Sequence, residues 1–283
     1  SLQLGYDRII NRDKDQNNTY TLNGAIVVLE NNTGKILAIV GGIDYTQSSF
    51  NRATQSIRQP GSSIKPFLYQ TALDLGYSTI SDSVDISRTY TYGEEEDEKK
   101  WQPRNYEKNF KGLIKLKEAL IHSRNLATIN LVTDIGIDVV HKRLKYYGFG
   151  KIPVDLSITL GSFGVSALNL SEYYTIFSNK GIKTKPYLVA KITDISGQTI
   201  NFEPELEYIT TAGQAYLMTT ILRDVVRRGT GRKARVRHIE VAGKTGTTNN
   251  NVDAWFCGYS PTLQTIVWYG NDDNKPMRSG ETG

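Results

Sequence analysis

Cysteine and histidine are scarce in this sequence, which has one cysteine and three histidines among 283 residues. The single cysteine, Cys257, excludes a disulfide within the chain, and the apolar run around it predicts a small core residue. None of His122, His141 and His238 stands with a serine and a carboxylate in a pattern typical of histidine-activated enzymes, although His122 adjoins Ser123. Because no spacing of histidine, cysteine and aspartate suggests a ligand set, the sequence predicts no metal and no cofactor.

Long apolar runs and a strong charge of one sign are also missing. No apolar run approaches the roughly 20 residues of a membrane span, and no signal peptide opens the chain. The 34 basic and 29 acidic residues give a net charge of +5, and no basic tract is interleaved with aromatic residues, so we expect no nucleic-acid partner. A chain that is 39% hydrophobic and 22% charged is typical of a soluble globular protein. Its abrupt ends, at Ser1 and at 279–283, lead us to expect a domain excised from a longer protein.

The order of the predicted elements indicates an α+β fold. Two apolar, β-branched segments, 24–30 and 35–41, flank the turn residues 31–34 and predict a β-hairpin. Apolar residues recur at helical spacing through the middle of the chain, and strand-like segments return near its end. The charged run 93–100 is predicted to be a solvated loop. The predicted helices are 62–75, 113–121, 125–135, 137–147, 165–180 and 211–228, and the later predicted strands are 239–243, 252–259 and 263–270.

Strands at both ends and helices between them predict a single domain, 1–283, with two parts. The outer segments, about 1–61 and 212–283, are expected to form an antiparallel sheet flanked by helices. The middle, about 62–211, is expected to form a mostly helical subdomain. Three polar motifs fall at the boundaries between these parts, so we expect a cleft there.

The first motif places Ser62 three residues before Lys65, at the start of a predicted helix. Residues i and i+3 share a helix face, so the lysine can take the proton of the serine once burial or neighbouring cations favour its neutral form. The same spacing selects Ser62 rather than Ser63 as the nucleophile. Taken alone, Ser62 is more simply explained as a helix N-cap and Lys65 as a solvated side chain.

The second motif is the triplet Ser123-Arg124-Asn125, which we expect in a loop between helices because side chains two apart do not share a helix face. There Ser123 can relay a proton between Lys65 and a leaving group, and Asn125 can donate to an amide carbonyl of a substrate. When this motif stands alone, helix capping by serine and asparagine is the simpler interpretation.

The third motif is Lys244-Thr245-Gly246-Thr247, after an apolar stretch. Gly246 lets a ligand approach the backbone of a strand edge closely. Lys244 supplies positive charge, and Thr245 and Thr247 offer hydroxyls to a carboxylate. The backbone N–H groups of Thr247 and Ser62 are expected to form an oxyanion hole. Alone, this motif is also explained as a polar edge strand that runs into a loop.

Together and in this order, the motifs are sufficient for acyl transfer through a serine ester, and they form the signature of penicillin-binding proteins and serine β-lactamases. Longer strings extend the likeness over nearly the whole chain. They are 41–42, 51–55, 58–67 (RQPGSSIKPF), 103–106, 119–120, 229–231, 242–248 (AGKTGTT) and 253–256 (DAWF). With these strings, the chain resembles the transpeptidase domain of a class A (bifunctional) penicillin-binding protein, which implies a penicillin-binding/serine β-lactamase-like fold.

The resemblance implies a serine D,D-transpeptidase with a known division of roles. By this likeness, Ser62 attacks the D-Ala-D-Ala bond of a donor stem peptide of peptidoglycan and releases D-alanine. An amine of an acceptor stem peptide then attacks the acyl-enzyme and forms the cross-link. β-Lactam antibiotics mimic the dipeptide and acylate Ser62, while Lys244, Thr245 and Thr247 hold the carboxylate of substrate or drug.

The resemblance also implies a parent protein larger than this domain. Bifunctional members carry an upstream glycosyltransferase domain and a membrane anchor. They act with other cell-wall synthesis proteins on the extracytoplasmic side of a bacterial cytoplasmic membrane.

Three other functions share parts of this pattern. Class A β-lactamases deacylate with the glutamate of a Glu-x-x-Leu-Asn string, but Val165 occupies that position before Leu168 and Asn169. Arg124 also stands where their second motif has aspartate, so we expect slow deacylation. A D,D-carboxypeptidase, in which water replaces the acceptor amine, differs only through the longer strings. A β-lactam sensor domain, which is acylated but processes no peptide, also stays open.

Overall fold

The structure is a computed structural model that describes residues 2–12, 21–92, 99–248 and 251–277. Its helices are α1 (Leu2–Arg12), α2 (Lys65–Asp74), α3 (Leu116–Ile121), α4 (Asn125–Ile135), α5 (Ile137–Tyr147), α6 (Ala167–Ser178) and α7 (Ala212–Arg228), with short 3₁₀ helices at Gly61–Ile64, Leu156–Leu160 and Arg232–Ala234. Its strands are β1 (Leu22–Glu30), β2 (Ile36–Val40), β3 (Asp82–Asp85), β4 (Tyr90–Tyr92), β5 (Lys99–Trp101), β6 (Gly112–Lys115), β7 (Ile182–Thr184), β8 (Lys191–Thr193), β9 (Thr199–Asn201), β10 (Leu206–Tyr208), β11 (Ala242–Thr247), β12 (Asp253–Tyr259) and β13 (Leu263–Asn271). Within the described ranges, no helix is both long enough and apolar enough to cross a membrane.

Five antiparallel strands from the two ends of the chain form the central sheet, in the order β11-β12-β13-β1-β2. The predicted hairpin is β1 with β2, and β1 also pairs with β13 along its whole length. The other strands form two-stranded ribbons, which are β3 with β6, β4 with β5, β7 with β10, and β8 with β9. The α+β class and the antiparallel sheet are therefore confirmed. The division into a sheet subdomain and a helical subdomain stays a prediction.

The sheet buries alternate side chains against helices. Ala25, Val27 and Leu29 of β1 are fully buried, as the two-residue period of a strand requires. Helix α6 packs on β1 and β13, and helix α7 packs on β11. Cys257 on β12 is fully buried, which confirms it as a core residue. Each large apolar side chain buried in this way stabilises the fold by about 1.5–3 kcal/mol.

Helix α2 runs through the middle of the core. All of its residues from Lys65 to Leu73 are buried. The ring of Phe67 contacts four other aromatic rings at centroid distances of 4.9–5.7 Å, those of Tyr147, Phe149, Tyr174 and Phe177. Because packing at crystal-like density surrounds this helix, its N-terminal residue is held in one place.

The predicted helix 113–121 is wrong in its first part. Gly112–Lys115 is strand β6, which pairs with β3, and α3 begins only at Leu116. Lys115 is extended, with φ −78° and ψ 145°, and separates the strand from the helix. The pairing with β3 joins segments about 30 residues apart, so local periodicity does not reveal it.

The predicted strand 239–243 lies too early in the chain. The strand is β11, Ala242–Thr247, and it contains the whole third motif, which the sequence placed at a strand edge. Ile239 is half exposed and forms a bridge with Val236 in a tight turn. The strand extends to Thr247 because β12, which begins at Asp253, provides backbone partners for the residues of the polar motif.

Most of the charged run 93–100 lies outside the described residues, at 93–98. Lys99 and Lys100 begin β5, which pairs with β4, so the loop prediction is wrong for these two lysines. Lys100 remains exposed in the ribbon, because a two-stranded ribbon can pair its backbone and still leave charged side chains in water.

Candidate active site

The first motif lies in a tight 3₁₀ turn, Gly61–Ile64, which we call the serine turn. The backbone N–H of Ser63 and its hydroxyl both donate to the carbonyl of Pro60, at 3.1 and 2.7 Å. Helix α2 therefore begins at Lys65, whereas the sequence predicted that this helix begins at Ser62. Ser62 is left half-buried, and Ser63 is fully buried beneath it.

Three glycines allow backbone segments to meet at the serine turn. A Cβ on Gly61, whose φ is +53°, would lie 2.7 Å from the carbonyl oxygen of Thr247. A Cβ on Gly246 would lie 2.5 Å from the carbonyl oxygen of Pro60, and a Cβ on Gly161 would lie 2.5 Å from the carbonyl oxygen of Gly61. No side chain tolerates such distances, so glycine is required for β11 and the segment around Gly161 to close on the serine turn.

Lys65 and Lys244 are completely buried and meet at Ser123. The Nζ of Lys65 donates to the carbonyl of Ser123 at 2.7 Å, to its hydroxyl at 3.3 Å and to Asn125 Oδ1 at 2.7 Å. The Nζ of Lys244 donates to the same hydroxyl at 2.9 Å and to the carbonyl of Thr245 at 2.9 Å. The three motifs, distant in sequence, therefore converge on one serine hydroxyl.

Burial and neighbouring charge change the protonation of both lysines. Burial lowers the pKa of Lys65 well below 10.5, and the cations Lys244 and Arg124 lower it further, against a smaller opposite effect of Asp85. Burial also lowers the pKa of Lys244 to about 7. A neutral amine is therefore accessible near neutral pH, and only a neutral amine has the lone pair that accepts a proton.

Ser123 and Asn125 span the junction between a loop and helix α4. Ser123 has a φ of 54°, which is uncommon for a residue with a side chain and is found at strained functional positions. Asn125 is the first residue of α4, and both ends of its amide have protein partners. Its Nδ2 donates to the carbonyl of Arg104 at 3.1 Å, whereas the sequence predicts donation to a substrate.

A cleft of about 450 Å³ opens over these groups. Ser62, Ser123, Asn125, Thr245 and Thr247 all line it. The cleft also exposes residues to which the sequence assigns no role, among them Glu107, His122, Leu160, Ser162 and Thr230. Of these, Thr230 belongs to a longer string of the resemblance, and its hydroxyl lies 2.7 Å from that of Thr245.

The backbone of Thr247 lies beside the serine turn. The N–H of Thr248 donates to the carbonyl of Asp253, 3.2 Å away and on the side of β12. Successive N–H groups of a strand point to opposite edges, so that of Thr247 points away from β12. A Cβ on Gly61 would lie 3.3 Å from the nitrogen of Thr247. Ser62 and Thr247, the expected oxyanion-hole donors, therefore border the same part of the cleft.

Curated proteins match nearly the whole chain. A family model described as the penicillin binding protein transpeptidase domain matches residues 24–282. Penicillin-binding protein 1A of Neisseria flavescens is 38% identical over an alignment of 300 residues, gaps included, that covers 99% of this chain and 37% of that protein. Penicillin-binding protein 1A of Aquifex aeolicus is 39% identical over 263 residues, covering 93% of this chain and 36% of that protein. The chain thus spans about a third of the length of the curated relatives it matches.

Solved structures match the fold. The crystal structure of penicillin-binding protein 1A from Haemophilus influenzae superimposes with a TM-score of 0.85 at 29% identity, covering 92% of this chain and 45% of that one. PonA1 from Mycobacterium tuberculosis in complex with penicillin V superimposes with a TM-score of 0.79 at 22% identity, covering 98% of this chain and 76% of that one. Because the family model extends over most of the sequence and its three motifs meet in one cleft, the chain belongs to the penicillin-binding protein transpeptidase domain family.

Proposed function

We propose that this domain is a serine D,D-transpeptidase that cross-links stem peptides of peptidoglycan through an acyl-enzyme on Ser62, and that β-lactams acylate the same serine. One observation carries the proposal: two buried lysines, Lys65 and Lys244, converge on the hydroxyl of Ser123 in a cleft that Ser62 lines. Family membership supports it, as does a relative solved with penicillin V bound.

In the acylation step, the Ser62 oxygen attacks the carbonyl carbon of the D-Ala-D-Ala amide while its proton passes to the neutral amine of Lys65. The backbone N–H groups of Ser62 and Thr247 stabilise the oxyanion. The C–N bond then breaks, and the proton travels through the hydroxyl of Ser123 to the departing amine of D-alanine. The distance of 3.3 Å between Lys65 Nζ and Ser123 Oγ suits this relay.

In the second step, an acceptor amine attacks the ester carbon and returns a proton to the Ser62 oxygen, which leaves as a hydroxyl. The carboxylate of the donor or drug binds to the hydroxyls of Thr245 and Thr247, which line the cleft, while the completely buried Lys244 supplies positive charge beside Thr245. Asn125 lines the cleft, whereas Gly246 lies against the serine turn and is not among the described residues of the cleft wall. Asn125 orients Lys65, and Gly246 admits the serine turn.

The cleft gives no support to a β-lactamase. Val165 is buried, and its backbone pairs with that of Arg58, at 2.9 and 3.1 Å. The Leu-Asn pair lies in the first turn of α6, where Ser166 caps the helix by accepting from the Asn169 N–H. Among the described residues that line the cleft, the one carboxylate is Glu107, and Arg124 holds it at 2.9 Å. Within the part of the chain that the structure describes, no carboxylate is therefore placed to activate a deacylating water.

We expect this chain to hydrolyse its β-lactam ester slowly. Mixing it with a chromogenic cephalosporin should give a burst of one equivalent, followed by turnover at least a hundredfold slower than the ~1–10³ s⁻¹ typical of enzymes. The measurement is stopped-flow absorbance, followed by intact mass at intervals. Steady turnover without a burst would favour the β-lactamase.

The test of the proposed function compares a D-Ala-D-Ala stem peptide with and without an acceptor amine. We expect D-alanine release and, when the acceptor is added, a new amide product in the mass spectrum. Hydrolysed donor as the sole product in the presence of acceptor would establish the carboxypeptidase instead. A β-lactam adduct with no peptide turnover in the full-length protein would establish the sensor.

We also propose that the domain acts on the extracytoplasmic side of a bacterial cytoplasmic membrane. It would do so within a protein that also has a glycosyltransferase domain and a membrane anchor, together with other cell-wall synthesis proteins. The much greater length of the relatives named penicillin-binding protein 1A supports this proposal. A labelled penicillin that cannot cross membranes should label the parent protein in intact spheroplasts. Labelling only after lysis would contradict this location.

A further inference from the structure

A buried ion pair lies behind the cleft, and the reaction described above makes no use of it. Arg124 is the middle residue of the second motif, and its side chain is 5% exposed. Asp85 at the end of β3 is completely buried. The Nε of Arg124 donates to Asp85 Oδ2 at 2.8 Å, and one guanidinium nitrogen lies 2.6 Å from the same oxygen. A buried pair of this kind is weak evidence for stability, so its position invites a functional explanation.

The pair holds the segment 103–111, which we call the mouth loop. Asp85 accepts from the side-chain amide of Asn105 and from the backbone N–H of Lys111, both at 2.9 Å. Arg124 donates to Glu107 at 2.9 Å and to the carbonyl of Asn109 at 2.8 Å. The mouth loop supplies part of the wall of the cleft, namely Arg104, Asn105, Tyr106 and Glu107.

The same pair also holds the residues that contact Lys65. Ser123 and Asn125, on either side of Arg124, are the hydrogen-bond partners of the Lys65 amine. The side-chain carbonyl of Asn105 accepts from the N–H of Leu126, 3.1 Å away, so the mouth loop is also tied to the start of α4. The unusual φ of Ser123 persists only where the surroundings over-determine it. Arg124 and its partners supply that constraint.

We propose that Arg124, anchored by Asp85, is a positioning residue for acylation: it holds the Ser123–Asn125 turn against Lys65 and the mouth loop against the cleft as one unit. This inference rests on the proposed acylation of Ser62 and extends it to residues that touch neither substrate nor Ser62.

The pair also sets the charge around Lys65. Lys244 from β11 and Arg124 from the second motif lower the pKa of Lys65, whereas Asp85 from β3 raises it. Glu107 lies on the far side of Arg124, and His122 is about half exposed beside Glu118. The two members of one ion pair therefore change the pKa of Lys65 in opposite directions. Removing each of them separately distinguishes an electrostatic role, with opposite changes in the pKa, from a purely structural one.

The experiment measures the second-order rate of acylation by a labelled penicillin from about pH 5 to pH 9, together with thermal unfolding. Arg124→Gln should slow acylation on the order of a hundredfold, the loss typical of a misplaced catalytic group. It should also move the acid midpoint of the rate to higher pH, because a cation near Lys65 is gone. Asp85→Asn should move that midpoint to lower pH. Arg124→Lys should slow acylation through loss of the planar fork while keeping the wild-type midpoint.

Arg143→Gln is the matched control, because it breaks a partly buried ion pair with Asp74, the last residue of α2, at the opposite end of that helix from Lys65. It should lower the melting temperature and leave the rate and its acid midpoint unchanged. If Arg124→Gln and Asp85→Asn move the midpoint in the same direction, or if all variants lose rate only in proportion to their unfolded fraction, the inference is overturned. Should Arg124→Gln not fold, the inference requires slower acylation at an unchanged midpoint in Arg124→Lys and a lower midpoint in Asp85→Asn. A wild-type chain that forms no adduct would overturn the proposed function as well, whereas wild-type acylation with unchanged midpoints in Arg124→Gln and Asp85→Asn overturns this inference alone.

Discussion

Ser62→Ala is expected to abolish the covalent β-lactam adduct, whereas Ser63→Ala is expected to keep it. Ser62 lines the cleft, while Ser63 is fully buried and points its hydroxyl at the carbonyl of Pro60, 2.7 Å away. Ser63→Ala removes that hydrogen bond and should cost about 0.5–1.5 kcal/mol of stability without removing the nucleophile. Intact mass and peptide mapping after exposure to penicillin measure both outcomes.

The two neighbouring serines form a strict comparison. Both lie in the serine turn, but Ser62 lines the cleft, whereas the side chain of Ser63 is buried. Tyr174 donates to the carbonyl of Ser63 at 2.7 Å, so the backbone at this position stays anchored in the alanine variant. An adduct that maps to Ser63 or Ser123, or one that survives in Ser62→Ala, would remove the central assignment of the proposed function.

Lys65→Met is expected to reduce the rate of acylation about 10²–10⁴-fold, the range for loss of a positioned general base. Methionine fills a similar volume in the buried site, but it cannot accept the proton of Ser62. The measurement is the rate of adduct formation under single-turnover conditions. Lys115→Met is the control, because Lys115 is an exposed lysine paired with Asp82 on the surface. This variant should be acylated at the wild-type rate.

The same substitution has a predicted effect on stability with a definite sign. Burial holds the pKa of Lys65 in the folded state below its ordinary value of 10.5, so the unfolded chain binds this proton more tightly. The lysine therefore disfavours folding increasingly as the pH falls from about 10 towards 7. The unfolding free energy of Lys65→Met minus that of the wild type should therefore increase as the pH falls from about 10 towards 7.

Denaturant unfolding at several pH values tests this sign. Lys244→Met should behave in the same way, because burial lowers the pKa of Lys244 to about 7. A difference between variant and wild type that is independent of pH, or that grows as the pH rises, would contradict the burial of a titrating amine at these positions.

Elements whose ends depend on local backbone chemistry were predicted well. Helix α5 occupies its predicted range, 137–147, and ends at Gly148, whose φ of +112° suits glycine. Helix α4 likewise occupies 125–135 before Gly136. The hairpin of β1 and β2 followed from two apolar, β-branched segments that flank the turn residues 31–34. Each of these signals lies within a few residues of the feature that it predicts.

Elements whose ends depend on a pairing strand were misplaced. Leu113 and Ile114 fit a helical period, yet they pair with β3. The strand beside the third motif was predicted at 239–243, but pairing with β12 shifts it to Ala242–Thr247. In both cases, the pairing edge of another strand decided between conformations that the local residues allow.

The sequence by itself determined which chemical groups the candidate site contains: the hydroxyls of Ser62 and Ser123 and the amines of Lys65 and Lys244. Only the tertiary structure decided how these groups are arranged and buried. Lys65 meets Ser123 across 58 residues, Lys244 meets it across 121, and Arg124 meets Asp85 across 39. The physical reason is that a pKa depends on burial and on neighbouring charges, and neither exists until these distant segments pack together.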